Sequence, residues 1–148
     1  FNEDLAQRTL AGARRAAERF RASPAAAAGG RLDVTDLTGI EAMDSLLDQA
    51  EILVAAGPAG LRMLPLASWK ARPRLTFLLD FNLTEPLGIE GIKPGDDFAE
   101  YHGKRALGAL AIGNPKMKVH KACVGRLFER NDLVLDTEGV YDIARQLV

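Results

Sequence analysis

The sequence has few of the residues that build disulfide and metal sites: of its 148 residues one is a cysteine, Cys123, and two are histidines, His102 and His120. A single cysteine excludes an internal disulfide and is typical of a reducing compartment, so we expect a cytoplasmic protein. These residues are also too few for a structural zinc site. A net charge of -1 gives no electrostatic reason to expect a nucleic-acid partner, and no apolar run reaches the ~18 residues of a membrane span.

A complete dinucleotide-binding domain opens with a strand and the motif G-x-G-x-x-G, which is absent from the sequence. Hydrophobic periodicity nonetheless predicts alternating helices and strands. The predicted helices cover 3–22, 37–50 (capped by Thr35 or Asp36), 60–67 and 114–129, and a last one opens with Asp136 as its cap. The predicted strands cover 31–36, 51–56, 75–80 and 105–110. This order predicts an α/β protein with a doubly wound, mostly parallel Rossmann-type sheet.

Four stretches carry more specific expectations. The continuous apolar run EILVAA (51–56) predicts a strand that is buried on both faces. Proline and glycines bracket the alanines of SPAAAAGG (23–30), so we expect a flexible connector without helix. WKARP (69–73) is predicted to be an exposed turn, and the polar residues 93–102 a connector.

The predicted strand at 31–36 has no obvious neighbour. In the strand order 3-2-1-4-5-6, strands 1 and 2 separate strand 3 from strand 4, and this sequence contains neither. We therefore expect the chain to be a fragment that begins inside a larger protein. The remainder would carry the loop that binds the cofactor's phosphates.

Polar and glycine-rich residues follow two predicted strands. The loop AAGPAG (55–60) comes after one, and its backbone can approach a flat ligand closely because of its glycines. Asp80 and Asn82 follow the next strand. Ligands bind at the carboxyl ends of parallel strands, so both loops are candidate binding elements, although Asp80 could equally cap nearby backbone amides.

The sequence GNP (113–115) predicts the start of a helix, with Asn114 as N-cap and Pro115 at N1. Lys116 would then lie in the first turn, where the helix dipole disfavours a cation by ~0.3–1 kcal/mol. A ligand would explain that placement better than helix stability. His120 lies four residues after Lys116 and on the same face of the predicted helix. Two roles stay open for His120: a substrate contact, or an ordinary hydrogen-bonded histidine. Cys123 is predicted to be a packing residue.

A family resemblance rests on four stretches: ILVAAGPAGLRMLPLASW, LLDFNLTEPLGIEGI, GKRALGALAIG and KMKVHKAC. They resemble the C-terminal part of the NAD(P)-dependent methylene-tetrahydromethanopterin dehydrogenases of methylotrophic bacteria. The resemblance runs from about Leu5 to Val148 and is specific from Ile52 to Cys123. The family implies a pterin-binding domain and a Rossmann-type nucleotide domain, with the active site in the cleft between them. A hydride would pass from the methylene carbon of the pterin to the nicotinamide, leaving a methenyl cation, in one-carbon (formaldehyde) oxidation.

The resemblance implies roles for individual residues. The loop after the first buried strand would line the nicotinamide-ribose side, Asp80 and Asn82 would lie beside the ring, and the segment from Ala109 would continue that wall. Lys116, the expected catalytic residue, would orient the pterin. His120 would make a second contact with this substrate. Apart from residues at the start of the sequence, the cofactor would by this resemblance be bound by Ala55, Ala56, Gly57, Ala59, Asp80, Asn82, Ala109, Ile112 and Gly113.

The resemblance places the first residues of the sequence, FNEDLAQR, just after strand 2 of the nucleotide domain, where NADP-preferring members of the family carry Arg or Lys beside the 2′-phosphate. Glu3 or Asp4 would bond a ribose 2′-hydroxyl and repel a 2′-phosphate, which favours NAD. Arg8, one helical turn on, could instead hold the phosphate of NADP. Both cofactors therefore stay open.

The same resemblance implies a division of the chain at residue 113. Residues 1–113 would be the later part of the nucleotide domain, and 114–148 helices that return toward the pterin-binding domain. The expected partners are a reduced pterin substrate and further copies of the chain in a homo-oligomer, with no nucleic acid and no membrane. Two alternatives remain: a methylene-tetrahydrofolate dehydrogenase of the same fold, or a non-catalytic nucleotide-binding domain.

Overall fold

The computed structural model describes residues 3–35 and 40–147. Contacts divide the chain into two compact units, Phe1–Met43 and Asp44–Val148, which are described separately. Within the described residues the helices are α1 (Glu3–Arg21), α2 (Pro24–Ala27), α3 (Ile40–Gln49), α4 (Leu66–Trp69), α5 (Ala109–Glu129) and α6 (Thr137–Gln146), and the strands are β1 (Ile52–Ala55), β2 (Phe77–Asp80), β3 (Asp97–Tyr101) and β4 (Lys104–Leu107).

The first unit contains α1, as predicted, and a short helix that was not predicted. The connector prediction for 23–30 is wrong, because α2 occupies Pro24–Ala27. Ser23 caps it, with its hydroxyl accepting from the Ala26 N–H at 3.4 Å. Proline at the first helical position starts a helix rather than breaking one, and alanine has the highest helix propensity.

The predicted strand at 31–36 is absent from residues 31–35. A strand needs a hydrogen-bonded neighbour, and no described strand lies beside this segment. Asp36 and the predicted start of the next helix lie outside the described residues. That helix is confirmed from Ile40 to Gln49 as α3.

The second unit is built on a four-stranded sheet in the order β1-β2-β4-β3. β1 pairs in parallel with β2, and β2 in parallel with β4. In this register Ala55 lies beside Asp80, and Leu79 lies beside Leu107. The carboxyl ends of all three strands therefore meet at one edge, which confirms the prediction of a mostly parallel, Rossmann-type α/β sheet.

The fourth strand, β3, was missed: it lies in the stretch predicted to be a connector. β3 and β4 form an antiparallel hairpin with a register shift between Asp97 and Ala99. His102 and Gly103 form its turn at φ 52° and 75°. Positive φ at both central residues is the geometry of a tight hairpin turn, but His-Gly is not one of the common turn pairs.

One face of the sheet is buried and the other is largely exposed. Leu78 and Ala106, neighbours in register, are each 0% exposed. On the opposite face Ile52 is 63% and Val54 53% exposed. The prediction that β1 is buried on both faces is therefore wrong within this structure. Hydrophobicity alone could not distinguish a strand covered on both sides from one covered on a single side.

Two boundaries before β2 differ from prediction. The helix predicted at 60–67 is α4, which begins only at Leu66, because the backbone of Met63 and Leu64 hydrogen-bonds to Gly88 instead of forming a helix. The turn WKARP is not exposed at its first residue: Trp69 is 0% exposed and its indole N–H donates to the Glu90 carbonyl at 3.1 Å.

The junction of β4 and α5 also differs. The strand predicted at 105–110 ends at Leu107, and α5 begins at Ala109 with Gly108 as N-cap. Asn114 is therefore not the N-cap, and Pro115 lies inside the helix rather than at its start. The helix ends at Glu129 as predicted.

The C-terminal helices contact each other. Asp136 caps α6, accepting from the Gly139 N–H at 2.9 Å, as predicted. Cys123 on α5 is buried and unpaired, which confirms its packing role. α5 runs unbroken through residue 113, so the division of domains proposed there stays a prediction. None of the helices within residues 3–35 and 40–147 has the length and apolar character to cross a membrane.

Candidate functional site

The site is formed by two loops that leave the carboxyl ends of β1 and β2; we call residues 56–65 and 81–96 the paired loops. The N–H groups of Met63 and Leu64 both donate to the Gly88 carbonyl at 2.9 Å. The Leu64 carbonyl accepts from the Glu90 N–H at 2.9 Å, and Leu64 and Ile89 form a parallel β-bridge. The two candidate binding elements from the sequence therefore form a single bonded structure.

Asp80 anchors the second of the paired loops. Its side chain is 2% exposed. One carboxylate oxygen, Oδ2, accepts from the Ile89 N–H at 2.7 Å. The other, Oδ1, accepts from the Asn82 N–H at 2.9 Å and from Asn82 Nδ2 at 3.0 Å. Of the two roles left open for Asp80, the capping of backbone amides is observed.

Asn82 is 5% exposed and faces the same cluster. Its Nδ2 is engaged with Asp80, and no hydrogen bond to its Oδ1 is found among residues 3–35 and 40–147. An amide oxygen can accept two hydrogen bonds. Asn82 is thus a polar side chain at the carboxyl edge of the sheet that keeps acceptor capacity.

Gly88 lets the paired loops approach each other. A Cβ at this position would lie 2.6 Å from Asn82 Nδ2, 2.8 Å from Met63 Cε and 2.9 Å from Asp80 Oδ1. All three distances are shorter than real Cβ contacts, so a larger residue would displace the cluster. Met63 also packs against Gly57 of the predicted AAGPAG loop.

Glu90 joins the paired loops to α4. Its Oε2 accepts from the Leu66 N–H at 2.8 Å, and its Oε1 pairs with Arg62 Nη1 at 3.0 Å. The Trp69 indole donates to its carbonyl oxygen. Glu90 therefore accepts a hydrogen bond from a backbone N–H in the first turn of α4. Pro65, the N-cap residue, makes no side-chain hydrogen bond to this turn.

The third parallel strand, β4, leads directly into α5. The Gly108 N–H donates to the Asp96 carbonyl at 2.8 Å, and the Leu110 N–H donates to the Pro94 carbonyl at 2.8 Å. The start of α5 is thereby fixed to the end of the second paired loop. This contact places Ala109, Ile112 and Gly113 in the first two turns of the helix, at the edge where β4 ends.

Lys116 and His120 lie farther along α5. Lys116 is the eighth residue of the helix, so the argument that the dipole disfavours a cation in the first turn does not apply. Both side chains are exposed, as is Lys118. The described residues show no hydrogen bond or ion pair that would bring Lys116 or His120 to the paired loops, and their roles stay predictions.

The remaining cofactor candidates are distributed between the two units. Ala55 is buried, Gly57 is half-buried, and Ala56 and Ala59 are exposed on the first paired loop. Arg8 lies on α1 with an exposed side chain. Glu3 and Asp4 are the first residues of α1, and their side chains lie outside the described part. The suggested NAD and NADP contacts of these α1 residues stay predictions.

Sequence reasoning missed Arg62, Met63, Gly88 and Glu90. The signals were present: Glu90 is a lone acid in an apolar stretch, and Gly88 follows a proline and a leucine at a strand-end loop. Arg62 and Glu90, together with Glu85 and Lys93, line an open cavity of about 240 Å³. In the parts of the chain that the structure describes, no group of histidines, cysteines and acids could hold a metal ion.

Comparison with known proteins gives two relatives, both from Methylorubrum extorquens. The chain is 43% identical over 98 residues to "Bifunctional protein MdtA", which covers 66% of the chain and 34% of the relative. It is 31% identical over 110 residues to "NAD(P)-dependent methylenetetrahydromethanopterin dehydrogenase", covering 72% of the chain and 37% of that protein. No protein-family model matches the chain. The chain spans about a third of the length of these curated relatives.

Proposed function

We propose that the chain forms the nicotinamide-side part of an oxidoreductase that transfers a hydride from methylene-tetrahydromethanopterin to NAD or NADP, giving methenyl-tetrahydromethanopterin, in formaldehyde oxidation. The observation that carries the proposal is the 31% identity to a protein named as that NAD(P)-dependent dehydrogenase. The 43% identity to a bifunctional relative from the same organism is consistent with it.

The geometry of the paired loops supports nucleotide binding. They lie at the carboxyl edge of a parallel sheet, where ligands bind in this class of fold. Gly57 and Gly88 let Met63 and the paired loops pack closely at this edge. Asn82 Oδ1 retains capacity to accept from a carboxamide N–H such as that of nicotinamide. These residues therefore fit a nicotinamide cofactor on chemical grounds, and they would bind and orient its ring.

The bound nicotinamide would supply the hydride acceptor. This chain's own contribution would be positioning, because the step leaves a methenyl cation and needs no proton transfer at that carbon. The Asp80 carboxylate bonds to the Asn82 and Ile89 amides and so holds the loop on which such positioning would depend. Lys116 and His120 would contact the pterin from α5.

We also propose that the protein is a homo-oligomer, which a molar mass from light scattering would test.

The test is an assay of the protein expressed from its complete gene. Methylene-tetrahydromethanopterin and methylene-tetrahydrofolate are each offered with NAD and with NADP, and cofactor reduction is followed by absorbance. We expect reduction with the methanopterin substrate. Reduction with the folate substrate alone would replace this proposal by the folate alternative. Nucleotide binding without reduction in any of the four mixtures would indicate a non-catalytic nucleotide-binding domain.

A further inference from the structure

Lys104 is a buried cation that has no part in the proposed reaction. It is the first residue of β4, and the whole residue is 5% exposed. Within residues 3–35 and 40–147 its side chain makes no hydrogen bond and no ion pair. An ammonium that leaves water loses favourable hydration, so lysine is almost never buried in a folded protein without a partner. The placement of Lys104 therefore points to a partner outside the described residues.

The register of the sheet places Lys104 on the buried face. Alternate residues of a strand point to the same face, so the side chain of Lys104 lies on the same face as that of Ala106. Ala106 lies beside Leu78 of β2, and both residues are 0% exposed. The methylene groups of Lys104 therefore belong to this apolar layer, and their burial restricts the directions in which the ammonium can point.

The acids of the β3–β4 hairpin do not neutralise Lys104. Glu100 lies beside Arg105 in the β3–β4 register, one position along from Lys104, so its side chain is on the opposite face of the sheet. Asp96, which precedes β3, accepts a hydrogen bond from the Tyr101 hydroxyl at 2.8 Å. Neither carboxylate pairs with Lys104 in the part of the chain that the structure describes. The hairpin thus carries a buried cation without supplying its counter-ion.

The ammonium is the part of Lys104 that reaches the surface. Among the described residues, no side-chain nitrogen or oxygen is both fully buried and without a hydrogen-bond partner. Since Lys104 has no such partner, its Nζ is accessible, and the stem beneath it accounts for the burial. Lys104 directly follows the hairpin turn, where the His102 ring packs edge-on against the buried Trp69 ring with the centroids 5.8 Å apart. A cation with a fixed stem is thus presented beside this turn.

We propose that Lys104 binds a small anion, through a phosphate or a carboxylate group, at the edge of the sheet where β4 begins. An ammonium is a compact charge with three N–H donors, which suits the oxygen atoms of either group. At a rise of ~3.3 Å per residue, β4 places this site roughly 10 Å from the opposite edge, where the paired loops lie. The bound anion would stabilise the β3–β4 hairpin. The proposal is independent of the dehydrogenase activity.

Amide hydrogen exchange of the protein expressed from its complete gene tests the site. Exchange is compared in sodium phosphate, sodium acetate and sodium chloride at one pH and one ionic strength. An anion at ten times its dissociation constant should slow exchange in residues 97–107 roughly tenfold relative to chloride, because the hairpin opens only after the anion leaves. A response to phosphate alone assigns a phosphate group, and a response to acetate assigns a carboxylate. Equal exchange of residues 97–107 in all three salts would overturn the proposal.

Variants of Lys104 separate this site from any other anion site of the complete protein. Lys104→Met keeps an unbranched apolar stem without the charge, so the response of residues 97–107 should be lost. Lys104→Arg keeps the charge and should retain the response. Lys118→Met is the matched control, because Lys118 is an exposed lysine on α5, and it should respond like the unaltered protein. A response that persists in Lys104→Met, or that disappears equally in Lys118→Met, would overturn the proposal. The comparison of salts in the unaltered protein stands even if Lys104→Met fails to fold.

Discussion

The Asp80 carboxylate accepts a 2.7 Å hydrogen bond from the backbone N–H of Ile89, nine residues farther along the chain. This bond closes the second of the paired loops onto the end of β2, and Asn82 occupies the other carboxylate oxygen. The Gly88 carbonyl, next to Ile89, then holds the first loop. A single buried acid thus fixes the second loop, and the second loop in turn binds the first.

Asp80→Asn should destabilise the second unit by about 1–3 kcal/mol, because an amide replaces one acceptor oxygen with a donor and leaves a buried N–H unsatisfied. The measurement is urea unfolding followed by the fluorescence of Trp69, the only tryptophan of the chain. Asp97→Asn is the control, since Asp97 is an exposed acid on β3 of the same sheet. Equal unfolding midpoints for the two variants would contradict the anchoring role of Asp80.

Gly88→Ala should cost about 1–3 kcal/mol, because the added Cβ would lie within 2.9 Å of the Asp80, Asn82 and Met63 side chains. Gly95→Ala, with nothing within 4 Å of its Cβ, should be neutral or slightly stabilising. Exchange of the Met63 and Leu64 amides, which donate to Gly88, should accelerate in Gly88→Ala only. Unchanged exchange there would mean that the loops tolerate the methyl group.

Elements with short-range signals were predictable from the sequence. Asp136 satisfies an N–H three residues away, so its capping role is evident locally. β2 and the strand-end position of Asp80 and Asn82 followed from an apolar run that ends in polar residues. These signals also indicated two loops that hydrogen-bond to each other in the structure, through Met63, Leu64 and Gly88.

The errors at Trp69 and at the starts of α4 and α5 share a physical origin in contacts between distant residues. Asn114 and Pro115 have the local sequence of a helix start, but α5 begins earlier because the Leu110 N–H finds the Pro94 carbonyl. The buried Trp69 donates its indole N–H to the carbonyl of Glu90, 21 residues away. The Leu66 N–H donates to the side-chain carboxylate of the same residue. Local propensity contains no information about such partners.

Tyr101 should titrate above the usual value of a tyrosine. Burial raises the pKa of its hydroxyl, and the hydrogen bond to Asp96 Oδ2 at 2.8 Å raises it further. Because the folded-state pKa exceeds the unfolded value near 10, the contribution to stability is complete below pH 10 and is lost as the pH rises through the folded-state pKa. Absorbance titration of Tyr141→Phe isolates Tyr101, since the chain has two tyrosines. A midpoint at or below 10 would contradict the prediction.

Lys116→Ala should lower turnover of the proposed reaction far more than Lys118→Ala. Two residues along a helix place Lys118 about 200° from Lys116, so the two exposed lysines face different directions on α5. If Lys116 orients the pterin, its loss misplaces the reacting ring and should reduce kcat roughly 10²-fold. Both variants are assayed in the protein expressed from its complete gene, with circular dichroism to show that α5 is retained. Equal turnover of the two variants would remove Lys116 from the site and leave the positioning to the paired loops.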